Sequence, residues 1–208
     1  MSDSAPAKAT VFVVDDDQAM RNSLKWLIES VGVQVESFAS ADEFLAQYQS
    51  GRHGCLVLDV RMPGMSGLDL QEQLAQQNIN IPVVIITGHG DVPMAVREMK
   101  SGAIDFIEKP FNDEVLLDAI RRALAFGEEQ RSHQVENLQI QQRLHHLTPR
   151  EREVMEMVTE GRSNKEIANS LGVSAKTIEA HRARVMEKMQ AGSLAELVRM
   201  VLSVNGTG

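Results

Sequence analysis

Blocks of apolar and polar residues alternate along the first 125 residues of the chain. Short runs rich in β-branched and apolar residues are typical of buried parallel strands, and the stretches between them carry apolar residues at helical spacing. The predicted strands are Thr10–Val14, Val33–Phe38, Cys55–Leu58, Ile81–Thr87 and Ala103–Ile107. The predicted helices begin near Gln18, Ser40, Leu68, Met94 and Asp113. Strands and helices that alternate five times predict an α/β domain with a parallel sheet and right-handed crossovers.

The last third of the chain has only helical patterns. Capping residues and apolar spacing predict four helices, which begin near Thr148, Ser163, Ala175 and Ser193. Gly172 provides a tight turn between the second and third of these helices. Two helices joined by a glycine turn and flanked by further helices are typical of helix-turn-helix domains, so this part is predicted to be an all-α, four-helix domain.

Residues 127–146 separate the two parts and are polar and helix-permissive. This composition predicts a solvated helical linker. A coiled-coil seam between two copies stays open as an alternative, although the apolar positions are few. The predicted domain boundaries are therefore 10–126 for the first domain, 127–146 for the linker and 147–204 for the second domain.

Composition and charge narrow the class of protein. The net charge of −8 argues against nucleic-acid binding by bulk charge. The residues from Thr148 onward, however, contain nine Lys or Arg and eight Asp or Glu, so the excess of acidic residues lies before Thr148 and a locally basic face could still bind DNA. The single cysteine, Cys55, excludes an internal disulfide. The first ten residues lack the apolar core of a signal peptide, and no apolar run reaches transmembrane length. We therefore expect a cytoplasmic protein with no membrane partner.

Acidic, hydroxyl and basic residues lie where four predicted strands end, at the edge of a parallel sheet where ligands bind. These residues are Asp15, Asp16, Asp59, Thr87 and Lys109. Three neighbouring carboxylates repel one another unless a cation neutralises them, and their hard oxygens suit Mg²⁺. An aspartate can accept a phosphoryl group as an acyl phosphate, with Lys109 as the positive charge and Thr87 as a hydroxyl that follows a phosphate oxygen. The alternative is a strand-to-helix turn whose acids favour a helix N-terminus, with a solvated loop lysine.

The helix predicted over Ala175–Met189 separates its residues into two faces. Ile178, Val185 and Met189 share the apolar face. The opposite face and its flanks carry small and charged residues, namely Lys176, Glu179, Ala180, Ala183, Arg184 and Glu187. Alanines allow close approach to base edges, arginines such as Arg182 and Arg184 suit phosphates or guanine, and Glu179 can accept from cytosine N4. The alternative is an ordinary solvated helix face.

Residues 10–125 resemble a response-regulator receiver domain, which has a flavodoxin-like fold. The motifs that carry the resemblance are Val14-Asp15-Asp16-Asp17, Asp59-Val60-Arg61-Met62-Pro63-Gly64, Thr87-Gly88-His89-Gly90 and Lys109-Pro110-Phe111. The resemblance implies that Asp59 takes a phosphoryl group from a sensor histidine kinase and that Asp15, Asp16, Asp59 and the Arg61 carbonyl hold Mg²⁺. It also implies that Thr87 and Phe106 form a switch pair, that Lys109 pairs with the phosphate, and that a cis bond precedes Pro110. Asp17 stands where the family often has glutamate and receives no ligand role.

Residues 148–202 resemble the LuxR-type helix-turn-helix domain, and within them the run from Glu179 to Met189 is closest to the nitrogen-fixation FixJ branch and its aromatic-catabolism relatives. The motifs are Leu147-Thr148-Pro149-Arg150-Glu151-Arg152-Glu153-Val154, Asn164-Lys165-Glu166-Ile167-Ala168 and Lys176-Thr177-Ile178-Glu179-Ala180-His181. The resemblance implies a transcription activator that binds promoter DNA as a dimer on inverted half-sites and works with RNA polymerase. The residues expected to contact DNA are Asn164, Lys165, Lys176, Thr177, Glu179, Ala180, Arg182, Ala183 and Arg184.

Together these features predict a regulator rather than an enzyme. Phosphorylation of Asp59 is expected to draw Thr87 and Phe106 inward, to remodel the face around Val92–Met99 and Ala103–Ile107, and to favour a dimer that binds DNA. The enzymatic alternative is a phosphatase of the haloacid-dehalogenase type, which requires a second Asp two residues after the nucleophile. Arg61 occupies that position, so this alternative is excluded. A nucleotide-binding glycine loop at Gly88-His89-Gly90 is excluded as well. Such a loop has a third glycine and follows the first strand, whereas this segment follows the fourth. A constitutive DNA-binding regulator whose receiver is unused as a switch remains open.

Overall fold

The computed structural model describes residues 9–88 and 102–205, and the chain divides into two compact units between Gln130 and Arg131. The strands of the first unit are β1 Thr10–Val14, β2 Gln34–Phe38, β3 Gly54–Asp59, β4 Val83–Thr87 and β5 Asp105–Glu108. Its helices are α1 Gln18–Ser30, α2 Ala41–Gln47, α3 Gly67–Gln76 and the first part of α4 Asp113–His145. The helix predicted near Met94 and the face Val92–Met99 lie outside the described residues.

The five strands form one parallel sheet in the order β2-β1-β3-β4-β5, which confirms the predicted α/β class. Alternate residues of β1 and β3 point to opposite faces, so each face has its own apolar core. Phe12 and Leu56 pack on one face, whereas Val13 and Val57 pack on the other. Burial on both faces explains why the central strands read as continuous apolar runs in the sequence.

The second unit is helical, as predicted. After the end of α4 it contains α5 Pro149–Thr159, α6 Asn164–Leu171, α7 Ala175–Met189 and α8 Leu194–Asn205. Thr148 caps α5 and Ser163 caps α6, each in a reciprocal capping box with the glutamate three residues later. Gly172 ends α6 with a φ of 65°, a left-handed conformation that glycine adopts without steric cost. Within the described ranges, no helix has the length and hydropathy needed to cross a membrane.

Helix α4 runs without a break from Asp113 through the predicted helical linker to His145. The end of this segment is not wholly solvated. Ile140 is 2% exposed and lies in the apolar core of the second unit, and Leu144 packs against the same core. Arg143 donates to the carbonyl oxygen of Met189 at 3.2 Å. The last turns of α4 therefore contribute to the packing of the helix-turn-helix unit.

An ion pair with a buried carboxylate joins the start of α5 to the end of α7. Glu151 Oε2 accepts hydrogen bonds from Lys188 Nζ at 2.6 Å and from the Thr148 backbone N–H at 2.9 Å. The Glu151 side chain is 4% exposed, whereas Lys188 is 34% exposed. The hydrogen bond from Lys188, with help from the Thr148 N–H, lowers the pKa of Glu151 from 4.5 to about 2. Ionised Glu151 therefore stabilises the folded second unit.

We expect Glu151→Gln to reduce the acid sensitivity of the second unit. A lowered carboxyl pKa stabilises the fold above the unfolded-state value of 4.5, and this contribution disappears as the pH falls from 4.5 towards about 2. At neutral pH the variant should lose about 2–3 kcal/mol, an upper range because Lys188 is partly solvated. Urea unfolding by far-UV circular dichroism measures the loss. Near-UV circular dichroism isolates the first unit, since every Trp, Tyr and Phe precedes residue 131.

Glu153→Gln is the matched control for this prediction. Glu153 pairs with Arg150 in the same helix, but its side chain is 50% exposed. An exposed pair of this kind contributes only about 0.2–1 kcal/mol, so the control should keep the pH dependence of the wild type. Equal pH dependence in Glu151→Gln and in the wild type would contradict the assigned role of Glu151.

Candidate functional sites

Asp15 and Asp59 directly follow or end two neighbouring strands. The register pairs Val13 of β1 with Val57 of β3, and each aspartate lies two residues later on the same side of its strand. Lys109 follows β5, and its Nζ lies 2.8 Å from Asp15 Oδ2 and 3.0 Å from Asp59 Oδ2. The structure thus brings together three of the residues that the sequence placed at strand ends.

Asp16 completes an acidic cluster with these two aspartates. One carboxylate oxygen from each of Asp15, Asp16 and Asp59 lies within 4.8 Å of the others. Oxygen ligands of one Mg²⁺ lie about 3.0–4.2 Å apart at metal–oxygen distances of about 2.1 Å, so the three side chains would have to move closer together to share a cation. Asp15 and Asp59 are buried, but Asp16 is exposed and leaves one side open to water, which Mg²⁺ retains. The donor set therefore fits a hard divalent cation.

Lys109 partly compensates for the burial of the two carboxylates. Burial raises the pKa of Asp15, and the hydrogen bond from Lys109 and the N–H of Asp17 only partly oppose that rise. Burial alone would lower the pKa of Lys109, but its contacts with Asp15 and Asp59 outweigh burial and raise it. Lys109 is therefore held as a cation between two acids, at the place where an incoming anion would need a positive charge.

The third acid of the motif has a different role from its neighbours. The Asp17 carboxylate caps α1, where its Oδ1 accepts from the backbone N–H groups of Ala19 at 2.7 Å and Met20 at 3.3 Å. The alternative interpretation of helix capping thus applies to Asp17 but not to Asp15 and Asp16. Asp17 thus serves the start of α1 and is not one of the three acids that cluster.

Thr87 and Phe106 lie on adjacent strands. Thr87 ends β4 and is fully buried, and its carbonyl accepts the Lys109 N–H at 2.7 Å. Phe106 is paired with Ile85, two residues before Thr87, so the three side chains point to the same face of the sheet. Phe106 is partly buried against the core on that face. The bond between Lys109 and Pro110 is cis, as the resemblance implied. A switch role for Thr87 and Phe106 stays a prediction.

Two residues that contact the backbone of Asp15 or Asp59 were not predicted from the sequence. Arg21 is buried in α1 and donates from Nη1 to the Asp15 carbonyl oxygen at 2.6 Å. Gly67 begins α3, where a Cβ would lie only 2.4 Å from the Asp59 carbonyl oxygen. The sequence signal for Arg21 was a charged residue within the apolar stripe of α1, three residues before Leu24.

Arg61 contributes its N–H, which donates to Asp59 Oδ1 at 3.3 Å, while the metal-ligand role of its carbonyl stays a prediction.

The predicted DNA-contacting surface is formed by α6 and α7. Ile178, Val185 and Met189 are buried, which confirms the inward face of α7. Seven of the predicted contact residues are exposed, namely Lys165, Lys176, Thr177, Glu179, Ala180, Ala183 and Arg184. The remaining two, Asn164 and Arg182, are half-buried and hydrogen-bonded to each other at 2.7 Å.

Two details refine this surface. The Thr177 hydroxyl lies 2.8 Å from the Ser174 hydroxyl, and the Thr177 N–H donates to the same oxygen, so Thr177 takes part in capping α7. Within residues 9–88 and 102–205, Lys165, Lys176 and Arg184 have no ion-pair partner. These cations are therefore available to an external anion.

Comparisons with known proteins cover both units. Residues 11–121 match the family described as the response regulator receiver domain, and residues 145–201 match bacterial regulatory proteins of the luxR family. Nodulation protein W of Bradyrhizobium diazoefficiens is 49% identical over 196 residues, which cover 94% of this chain and 86% of the relative. Transcriptional regulatory protein FixJ of Rhizobium meliloti is 48% identical over 194 residues, which cover 93% and 95%.

The solved structure of response regulator StyR is 48% identical, with a TM-score of 0.82 over 94% of this chain and 98% of that one. These matches span both units and confirm both resemblances. Response regulators with these two domains act on transcription and are not classed as enzymes. The chain belongs to the two-component response regulators that combine a receiver domain with a LuxR-type DNA-binding domain, and it is a transcription regulator.

Proposed function

We propose that a sensor histidine kinase switches this regulator by transferring a phosphoryl group to Asp59, and that phosphorylation favours dimerisation and promoter binding. The observation that carries the proposal is the convergence of Asp15, Asp59 and Lys109, with Lys109 Nζ within 3.0 Å of both carboxylates. Asp16 lies beside them as a third acid. A structural salt bridge would need only one acid, whereas a phosphoryl-transfer site needs a nucleophile, metal ligands and a counter-charge.

In the proposed reaction, an Asp59 carboxylate oxygen attacks the phosphorus of a phosphohistidine. The new O–P bond forms an acyl phosphate as the P–N bond breaks, and the imidazole nitrogen keeps the electron pair. Asp15, Asp16, Asp59 and the Arg61 carbonyl would hold Mg²⁺, which when bound neutralises negative charge on the phosphoryl oxygens. Lys109 provides a second positive charge, and its present contact with Asp59 keeps it within reach of the new phosphate.

The switch then uses contacts that exist only with the phosphate present. The Thr87 hydroxyl donates to a phosphoryl oxygen, and Phe106 moves inward on the neighbouring strand. These contacts supply the free energy that shifts the population to the active state. We assign residues 10–126 to this receiver and 147–204 to the DNA-binding domain, with residues 127–146 as the helical connection. The dimer activates transcription with RNA polymerase in the cytoplasm, where bacterial promoter DNA lies.

On the DNA side, α7 is the element proposed to enter the major groove. Ala180 and Ala183 allow close approach to base edges, and Glu179 can accept from cytosine N4. Lys165, Lys176 and Arg184 are exposed and suit phosphates or guanine. In a dimer, two copies of α7 would meet half-sites about one helical turn apart.

Light scattering tests the switch. The chain is measured with and without Mg²⁺ and beryllofluoride, a phosphoryl mimic, beside Asp59→Ala. We expect a dimer that needs the mimic and is absent in the variant. An unchanged oligomeric state in a wild type that demonstrably binds the mimic would refute the dimer switch. Equal DNA affinity with and without the mimic would instead favour the alternative of a constitutive DNA-binding regulator.

A further inference from the structure

Arg182 and Asn164 connect the two helices of the helix-turn-helix. Arg182 lies in the middle of α7, and its Nη1 donates to Oδ1 of Asn164, the first residue of α6, at 2.7 Å. Both side chains are half-buried. Arginine has only donors, so the amide atom that faces it must be the oxygen. The Asn164 NH₂ group is therefore turned away from Arg182.

The partner of Arg182 is neutral, whereas two other cations of this unit are paired with carboxylates. Lys188 is paired with Glu151, and Arg150 with Glu153. Asn164 fixes the position of the Arg182 guanidinium but leaves its charge uncompensated. The other N–H groups of Arg182 stay available to an anion, and a positioned arginine loses less side-chain entropy on contact than a mobile one.

The place of Arg182 on α7 indicates what kind of anion it meets. With about 100° per residue, Arg182 lies about 40° from the buried Ile178 around the helix axis, whereas Ala180 lies about 200° away. Arg182 is therefore on the edge of α7 that adjoins α6, away from the centre of the exposed face. A side chain at this edge suits the DNA backbone that flanks the groove, while Ala180 suits the base edges.

We propose that Arg182 contacts a backbone phosphate of DNA and that Asn164 is a positioning residue that holds it there without cancelling its charge. The pair thus supplies sequence-independent affinity and fixes how α7 lies on the duplex. This inference rests on the proposed DNA binding by α6 and α7, and it replaces the expectation that Asn164 itself contacts DNA.

The test measures DNA affinity of the full chain with Mg²⁺ and beryllofluoride over a range of salt concentrations. The probes are a duplex enriched from a random-sequence pool by the wild-type protein and a scrambled duplex of the same composition. Arg182→Met keeps the apolar stem and removes the charge. It should weaken binding to both duplexes by the same factor, about tenfold, and lower the salt slope by about 0.9 per bound protomer. Arg182→Lys should retain the slope. Arg199→Met, an exposed arginine on α8, is the charge-matched control and should retain the wild-type slope.

Asn164 variants separate positioning from direct contact. Asn164→Ala should weaken binding in the wild-type background but have no further effect in Arg182→Met, because it acts through Arg182. Asn164→Asp should keep the pairing yet lower the slope, since a carboxylate cancels the charge. A full additional loss in the double variant, an unchanged slope in Arg182→Met, or an altered preference between the duplexes would overturn the inference. Circular dichroism verifies that each variant folds. Failure of the wild type to enrich any duplex from the pool would refute the proposed function itself.

Discussion

Asp59→Asn is expected to abolish phosphoryl uptake. Asp59 ends β3 and is the proposed phosphoryl acceptor, and its carboxylate lies 3.0 Å from Lys109 Nζ. An amide of the same shape lacks the nucleophilic oxygen charge and weakens the metal site, and a loss of at least about 10³-fold in rate is expected. Intact-protein mass spectrometry after incubation with acetyl phosphate and Mg²⁺ measures the uptake directly. Wild type should gain one phosphate, and Asp59→Asn should gain none.

Asp17→Asn is the matched control, because it makes the same chemical change at an aspartate that lies next to Asp15 and Asp16 in the sequence but is not part of the acidic cluster. Asp17 caps α1 through the N–H groups of Ala19 and Met20, and asparagine caps helices about as well. This variant should keep both stability and phosphoryl uptake. Uptake at the wild-type rate by Asp59→Asn would locate the acceptor elsewhere, and peptide mapping of the phosphorylated chain would find it.

The sheet and the central acids could be predicted from the sequence because one physical rule governs both. Strands buried on both faces appear as continuous apolar runs, and the residues after them must lie at one edge of a parallel sheet. The regular alternation of side chains along β1 and β3 then places Asp15 and Asp59 on the same side, as found. The helix starts at Thr148 and Ser163 could be predicted for a different reason, because a capping box is a local hydrogen-bond pattern between residues three positions apart.

Features that depend on tertiary packing could not be predicted in this way. Asp15, Asp16 and Asp17 have the same side chain, so the sequence does not show which of them caps α1. The folded backbone at the start of α1 makes Asp17 the cap and places Asp15 and Asp16 in the acidic cluster. Gly67 has no side chain to signal its close approach to Asp59. The polar pattern of residues 127–146 concealed that Ile140 is buried, because a single apolar residue contributes little to helical periodicity. The hydrogen bond between Asn164 and Arg182 joins two helices, so the apolar spacing within either helix does not predict it.

Lys109→Met is expected to destabilise the first unit by about 3–5 kcal/mol at neutral pH. Lys109 compensates Asp15, which is fully buried, and Asp59, whose side chain is 10% exposed, so its removal leaves two buried acids without a counter-charge. Without the lysine the pKa of Asp15, already raised by burial, should rise further. A raised carboxyl pKa costs stability as the pH rises through the unfolded value, so the deficit should shrink in acid, where the acids are neutral in both states. Urea unfolding followed by near-UV circular dichroism measures it.

Lys25→Met provides the comparison, because Lys25 forms an exposed pair with Glu29 at 3.9 Å in the same unit. That variant should lose less than about 0.5 kcal/mol, with no added pH dependence. Mg²⁺ should distinguish the two lysines further. A cation that binds only the folded state stabilises by about 2.7 kcal/mol at a hundred times its dissociation constant, and removal of Lys109 strengthens its binding to the unpaired acids. Mg²⁺ should therefore restore stability to Lys109→Met more than to the wild type or Lys25→Met. An equal response in all three chains would mean that Lys109 and the metal do not share the acids, which would contradict the proposed arrangement of the site.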